Sequence, residues 1–489
     1  MAVDWTTSPS GGADRSGDAD RADRAGGVGA DLHLDLRLAG PGAGVRAGLM
    51  EALRVAVRTG RLAKGVRLPS SRSLAADLGI ARNTVVDAYS ELVAEGWLTA
   101  AQGSGTRVAG WTAPPTPPPA PRLAPRAPLP VHNLQPGRPD TASFPRAEWL
   151  RAARRALTAA PHEAFDYGGP RGRIELRTAL ATYLARARGV RADPERIMIC
   201  SGVVHGLMLL GAALRARGVR AVAVESYGLD MHRDLLAAEG LHTPPIELDE
   251  RGARVEALGD LPDVGAVLLT PAHQFPTGVA LHPDRRAAAL DWARTSGGYI
   301  LEDDYDGEFR YDRQPVGALQ GLDPEHVVYL GTASKALAPG LRLGWMVLPD
   351  SLRVQLEQLK GEVDRMSSAL DQLTLAEFIN SGAYDRQIRA MRGSYRRRRD
   401  QLVHAIATRS PGVRVTGLAA GMHAVVELPP GAERTVLQVA AWHRLELYGI
   451  GSFRHPDASP RGDALVVGYA SPSGSAWSGA LAALCDVLP

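Results

Sequence analysis

Lysine is scarce in this chain: Lys64, Lys335 and Lys360 are the only three among 489 residues. Chemistry that requires a lysine amine therefore has three candidates. One lies in YLGTASKALAPGLRLGWMV (329–347), where an apolar strand ends at Leu330 and a loop of small hydroxyl residues delivers Lys335. Arg342 follows before the next apolar run. A lysine amine at a strand end, beside Thr332 and Ser334 and followed by an arginine, suits a Schiff base with an aldehyde cofactor that carries a phosphate. The amine takes the aldehyde, and the hydroxyls and guanidinium take the phosphate. Taken alone, Lys335 reads more readily as a surface loop lysine. Lys360, in QLEQLKGEV, reads as a surface residue of a helix.

A second element narrows this. GGYILEDDYDGEFRY (297–311) runs an apolar strand into Glu302, Asp303, Asp304 and Tyr305. A pyridoxal phosphate site needs one carboxylate to keep the pyridine nitrogen protonated and a phenol to donate to the ring oxygen. An Asp and a Tyr about thirty residues before the lysine meet both needs. The same acids could hold a metal, but no matching His or Cys set stands nearby in the sequence, so no metal site is expected. A third element, LLTPAHQFPTG (268–278), leads a strand into a Pro-Thr-Gly turn. Its His273 and Gln274 either face the ligand or serve structure.

The elements that must position these residues show in the apolar pattern. From about residue 131, helical stretches alternate with RIMICSG (196–202), AVAVES (221–226), AVLLTP (266–271), YILEDD (299–304), VVYLG (327–331) and LGWMVL (343–348). Short apolar runs between helices indicate buried strands of a mostly parallel sheet, hence an α/β fold with its function at loops beyond the carboxyl ends of strands. SLRVQLEQLKGEVDRMSSALDQLTLAEFIN, from 351, reads as one long amphipathic helix, and a small α+β part closes the chain.

Ahead of this lie three stretches. Residues 1–30 carry Gly, Ala, Asp, Arg and Ser without periodicity and should be a disordered tail. Residues 31–109 form a small module, and the Pro-dense 110–130 an extended linker to a large module at 131–489. Within the small module, Leu74, Leu78, Val85, Val86, Tyr89, Leu92 and Val93 fall at helical spacings on two helices broken at Gly79-Ile80-Ala81. Residues 96–106 then read as a short β-hairpin. That is a helix-turn-helix with a wing, whose second helix enters the major groove of DNA. Residues 46–107 hold nine Arg or Lys against five Asp or Glu, with the surplus toward 54–82, where it can meet phosphates.

The whole chain carries only +3, with 56 Lys and Arg against 53 Asp and Glu, which excludes a uniformly basic nucleic-acid coat. No run of eighteen apolar residues and no secretory apolar core is present, so no membrane partner is expected. Two cysteines, Cys200 and Cys485, are too few for a disulfide framework; a cytoplasmic location fits.

LPSSRSLAADLGIARNTVVDAYSELVAEGWL resembles the winged helix-turn-helix of GntR-type repressors over about 65 residues. The resemblance implies that Arg72 and Arg82 contact phosphate or guanine, Thr84 a phosphate and Gln102-Gly103 the minor groove, with Asn83 near base or backbone. The alternative for these residues is a merely solvated helix face. The later motifs resemble fold-type I aminotransferases of the aspartate aminotransferase class. In wording, TPAHQFPTG, EDDYDGEFRY and GTASKALAPGLRLGW are similar to the MocR subfamily of GntR regulators, in which a winged helix is joined to an aminotransferase-like domain. The likeness spans about 45–470.

By that resemblance Lys335 is the Schiff-base lysine, Asp303 the partner of the pyridine nitrogen and Tyr305 that of the ring oxygen. Thr332, Ser334 and Arg342 take the phosphate, and Ser201-Gly202-Val203 match a backbone phosphate cradle at a helix N-terminus. Tyr167, in YGGPRG, matches a tyrosine that reaches the neighbouring subunit's phosphate. The chain departs from aminotransferases at Phe275, where they carry Asn, and in Glu225-Ser226-Tyr227-Gly228-Leu229. There Leu229 falls at the ring-stacking tyrosine, with Tyr227 a substitute from two residues away. Met231 falls where the γ-aminobutyrate-responsive member has an arginine, so that effector is not expected. Arg454 and Arg461 are candidate carboxylate binders. The implied protein is a pyridoxal-phosphate-dependent transcription regulator, not an enzyme, that binds a double-stranded DNA operator as a domain-swapped homodimer. It would sense an amine, an amino acid or pyridoxal phosphate itself, the last controlling vitamin B6 synthesis. The alternative is a working aminotransferase with an appended winged helix.

Overall fold

The computed structural model describes residues 44–101, 105–110, 130–261, 263–311 and 316–489. The expected tail, nearly all of the Pro-rich linker, Gln102 and Gly103 lie outside them. Chain contacts divide the protein into two units, Met1–Arg126 and Ala127–Pro489.

In the first unit α1 (Val45–Arg58), α2 (Ser71–Leu78) and α3 (Arg82–Ala94) surround Leu49, Leu53, Leu74, Val85 and Leu92. The Ser70 hydroxyl accepts from the Ser73 amide at 3.1 Å and starts α2. Gly79, at φ 65°, stops it in the left-handed conformation that glycine adopts without strain, leaving two residues before α3. Antiparallel β1 (Leu98–Ala101) and β2 (Gly105–Val108) form the wing, its Leu98 and Val108 anchored in the same core. Val86, one of the apolar residues at helical spacing, is 42% exposed, because its face of α3 looks outward.

The second unit is built on β3 (Ile197–Cys200), β4 (Ala221–Glu225), β5 (Pro245–Ile246), β6 (Val264–Leu269), β7 (Tyr299–Asp303), β8 (Val327–Thr332) and β9 (Gly344–Val347). Their order across one sheet is β3-β9-β8-β7-β6-β4-β5. Only β9 runs against its neighbours. Six of these strands are the six apolar runs of the sequence; β5, two residues long, is too short to show there. Buried side chains on both sheet faces explain why the runs are continuously apolar rather than alternating. Helices α4 (Ile174–Arg188), α5 (Val203–Ala216) and α6 (Asp230–Ala238) belong to the same layer arrangement.

Because β9 is reversed, its first residue lies beside the last residues of its neighbours: Gly344 pairs with both Thr332 and Cys200. The Ser201 loop, the Lys335 loop and Arg342 therefore leave or enter the sheet along one edge. A four-stranded antiparallel sheet, including Ala424–Glu427 and Ala464–Val467, forms the closing α+β part.

The long helix expected from 351 is two helices, α7 (Asp350–Val363) and α8 (Ala369–Asn380), separated at 364–368. Lys360, expected at the surface, is completely buried. Its amine donates to the partly exposed Asp364 at 2.8 Å, so the buried cation has its counter-charge at the end of the helix. Among the described residues no helix is long and apolar enough to cross a membrane.

Candidate functional site

The loops at the carboxyl edge of the sheet enclose a cavity of about 320 Å³. Asp303, Tyr305, Thr332, Ser334, Lys335, Arg342, Gly202 and Val203 all line it. Of the residues expected around one cofactor, Ser201 and Tyr167 do not. Ser201 turns its amide to His205 Nδ1 at 3.2 Å. Tyr167 is 79% exposed, with the Arg365 guanidinium 4.9 Å from its ring centre.

The acids at the end of β7 separate cleanly by partner. Both carboxylate oxygens of Glu302 accept backbone amides, from Leu319 at 2.8 Å and Gln320 at 3.0 Å. Asp304 is bridged by Arg188 at 2.6 and 2.9 Å and receives the Tyr329 hydroxyl at 2.8 Å. Asp306 pairs with His273 at 2.9 Å. Asp303 is different: it is 5% exposed, lines the cavity, and its Oδ1 has no partner among the described residues. Burial pushes its carboxyl up to about 7, opposed by Lys335. A buried carboxylate oxygen without a partner is costly. A protonated ring nitrogen is the kind of donor that would satisfy it.

Lys335 lines the same cavity. Its amine donates to the Gly137 carbonyl at 2.6 Å, and burial holds it below the usual lysine range. An amine that deprotonates easily is a better nucleophile toward an aldehyde. Below it, Thr332 Oγ1 donates to Ser334 Oγ at 2.9 Å and accepts the Ser334 amide at 3.1 Å, a compact hydroxyl turn. Arg342 sits at φ 51°, a left-handed conformation unusual for a side-chain-bearing residue and the kind of strain that gathers at functional sites. Its guanidinium passes over Gly202 so closely that a Cβ there would come within 3.4 Å. Gly202, at φ 104°, opens α5, whose first-turn amides have no acceptor within the helix. A cation, two hydroxyls and a helix start converging on one spot fit a phosphate.

The substrate-side wall is less regular. Leu229 and the half-exposed Met231 line the cavity. Tyr227 lines the cavity as well, and its hydroxyl accepts the Arg461 amide at 2.7 Å. Arg454 and Arg461 are absent from the walls, and Arg454 donates to the Ala458 carbonyl. In their place stand Arg138, His232 and Arg233, which no motif had marked. Burial, with Lys335 and Arg233 nearby, brings His232 down to about 4. Gln274 is buried and braces Glu225 at 3.1 Å and the Tyr227 carbonyl at 2.8 Å. Neither it nor His273 reaches the cavity.

In the first unit, Arg72, Arg82 and Asn83 are exposed and Thr84 is half-buried at the start of α3. Arg72 and Arg82 have no ion-pair partner among the described residues. Not all the basic surplus is free: Arg54 pairs with Glu95, Arg58 with Glu51 and Arg46 with Glu91. The Arg54 and Arg46 pairs tie α1 to α3, the Arg58 pair lies within α1, and those of Arg54 and Arg58 reduce the charge available at 54–58.

Comparison with known proteins agrees with both units. The family model for aminotransferase class I and II matches residues 130–450, and that for bacterial regulatory proteins of the gntR family matches 46–108. The HTH-type pyridoxine biosynthesis transcriptional regulator PdxR of Corynebacterium glutamicum is 34% identical over 389 residues, covering 77% of this chain and 82% of its own. The probable rhizopine catabolism regulatory protein MocR of Rhizobium meliloti is 31% identical over 452 residues, 86% of this chain and 89% of its own. Among solved structures, the kynurenine aminotransferase of Pyrococcus horikoshii superposes with a TM-score of 0.65 at 26% identity, over 73% of this chain and 90% of that one. The chain belongs to the gntR family of bacterial regulatory proteins, in the MocR-type branch that joins a DNA-binding domain to an aminotransferase class I and II domain, whose cofactor is pyridoxal phosphate.

Proposed function

We propose that this regulator works in the cytoplasm as a domain-swapped homodimer and reads a small ligand at the pyridoxal phosphate site, without sustained catalysis. The observation that carries the reading is the isolation of Asp303. Its acidic neighbours are each partnered, while its open oxygen shares a cavity with Lys335 and Arg342. When bound, the cofactor supplies an electrophilic aldehyde and an electron-withdrawing ring. Lys335 would offer its amine to the aldehyde, Asp303 would hold a proton at the ring nitrogen, and the Tyr305 phenol would donate to the ring oxygen. Arg342, Thr332, Ser334 and the Ser201-Gly202-Val203 turn would hold the phosphate. Tyr167, exposed on its own chain, is free to serve a second subunit. Arg72, Arg82, Asn83, Thr84, Gln102 and Gly103 would meet the operator.

Two features support sensing over turnover. Transamination must fix the carboxylates of two successive substrates over a stacked ring. Here the stacking and anchoring positions are Leu229 and Met231, and Arg454 and Arg461 stand off the walls. A second reading, that pyridoxal phosphate is itself the effector, is favoured by the likeness to PdxR, whose name places it in pyridoxine biosynthesis. The test is an operator titration with and without pyridoxal phosphate and with candidate amines and amino acids. Operator affinity should respond to one of them. Multiple turnovers with an amino acid and a keto acid at about 1 per second or faster would overturn the sensing reading in favour of an aminotransferase.

A further inference from the structure

His273 stands outside the cavity, yet it is nearly inaccessible and sits at the back of Tyr305. Its Nδ1 lies 3.1 Å from the Tyr305 hydroxyl and 2.9 Å from Asp306 Oδ2. Both His273 and Asp306 are 2% exposed. The Asp306 carboxylate can only accept, so the shared Nδ1 carries the hydrogen, and Nε2 is the bare nitrogen. That nitrogen is indeed buried without a partner among the described residues.

The neighbourhood seals this arrangement. His423 packs its ring 5.0 Å from that of His273 and bonds the Pro276 carbonyl through Nε2 at 3.0 Å. Gly421, at φ 74°, lies so close that a Cβ would fall 2.2 Å from the His273 ring and 2.6 Å from Asp306. A side chain at 421 would pry the pair apart. The Nδ1 hydrogen is shared between Asp306 and the Tyr305 oxygen, so the phenol oxygen is held from the protein side while the residue lines the cavity, where a ring oxygen would compete with Asp306 for the phenol's hydrogen. Burial, with Asp306 and Asp303 close by, holds the phenol well above its ordinary range, so the hydrogen stays on it.

The geometry points to His273 and Asp306 as positioning residues that make Tyr305 a fixed hydrogen-bond donor to the cofactor's ring oxygen. This rests on the pyridoxal phosphate reading above. The Asn of aminotransferases is Phe275 here, whose ring instead meets Tyr305 edge-on at 6.0 Å. The aimed phenol thus acts without a neighbouring side-chain amide at that position.

The prediction concerns proton affinity. A donor on the ring oxygen competes with the proton held between that oxygen and the lysine nitrogen, so it lowers the pH at which the lysine-bound cofactor loses that proton. The absorbance of cofactor-loaded, full-length protein follows this transition directly. Tyr305→Phe should raise its midpoint. His273→Leu should raise it in the same direction by about one pH unit, the scale of one hydrogen bond. The double variant should go no further than Tyr305→Phe alone, because His273 acts through that phenol. His273→Asn, whose amide nitrogen can occupy the place of Nδ1, should keep the wild-type midpoint. An unchanged midpoint in His273→Leu, a double variant that adds the two shifts, or a shifted His273→Asn each overturns the assignment. If His273→Leu does not fold, the His273→Asn result still decides. Wild-type protein with no visible cofactor band would sink the pyridoxal phosphate reading instead, a distinguishable failure.

Discussion

The two units handle charge in opposite ways. In the first, the candidate DNA-contacting side chains Arg72 and Arg82 stand in solvent with no ion-pair partner among the described residues. In the second, Asp303, Tyr305 and Lys335 are drawn into a cavity where burial moves their proton affinities. The difference follows from the partners. A polyanion as large as a duplex is met across a wet surface, where many mobile cations act together. A small aromatic phosphate is met by a few groups whose charge is set in advance by removing water. Exposed charge gives reach, and buried charge gives chemistry.

The largest effect expected from breaking that contrast is at Lys335. Lys335→Ala should abolish the absorbance band of the lysine-bound cofactor entirely. A band that survives would move the assignment to another amine, and Lys360, buried against Asp364, would be a poor substitute.

On the exposed side the losses should be graded. Arg72→Ala and Arg82→Ala should each weaken operator binding by about 1–3 kcal/mol if the residue reads a base, and cofactor loading should not change. If it meets a phosphate, the salt dependence of binding should become shallower. Cofactor retention, resting on buried groups, should respond far less to salt than operator binding does. Equal salt sensitivity of the two would collapse the comparison.

The smallest effect is a pH trend in stability. The Asp303 carboxyl is raised by burial from its usual range to about 7. A raised acid contributes stability below its unfolded value that is lost as pH climbs through the folded one. Cofactor-free protein should therefore lose stability from about pH 4 to pH 7. Asp303→Asn should flatten part of that decline in thermal melts, and Glu225, Glu302 and Glu308, also raised to about 7 by burial, should sustain the rest.

Much of the site could be read from the chain because its chemistry dictates residue types at strand ends. Lys335, Asp303 and Tyr305 each follow an unbroken apolar run, so motif and strand coincide. Arg138 and Arg233 escaped notice because a loop arginine and a helix arginine carry no pattern until the fold turns them to one cavity. His423 and His273 are 150 positions apart, and only the C-terminal sheet brings the former against the loop after β6. The misjudged Lys360 shows the limit of helical spacing. Asp364, four residues on, could have warned that the lysine had a partner, but not that the amine is buried. The break at 364–368 was hidden by helix-favouring residues on either side, since an interruption of five residues barely disturbs an amphipathic pattern.

One consequence of the reversed strand reaches beyond the finished molecule. The edge that gathers the candidate phosphate-binding groups exists only when Gly344 lies beside both Cys200 and Thr332. Cys200 and Gly344 are 144 positions apart, so the ribosome must release most of the second unit before that pairing can form. A truncated or half-folded chain could carry every one of those residues and still have no place for a phosphate. Cofactor colour should thus count completed molecules, which would make it a gauge of folding yield as well as of ligand binding.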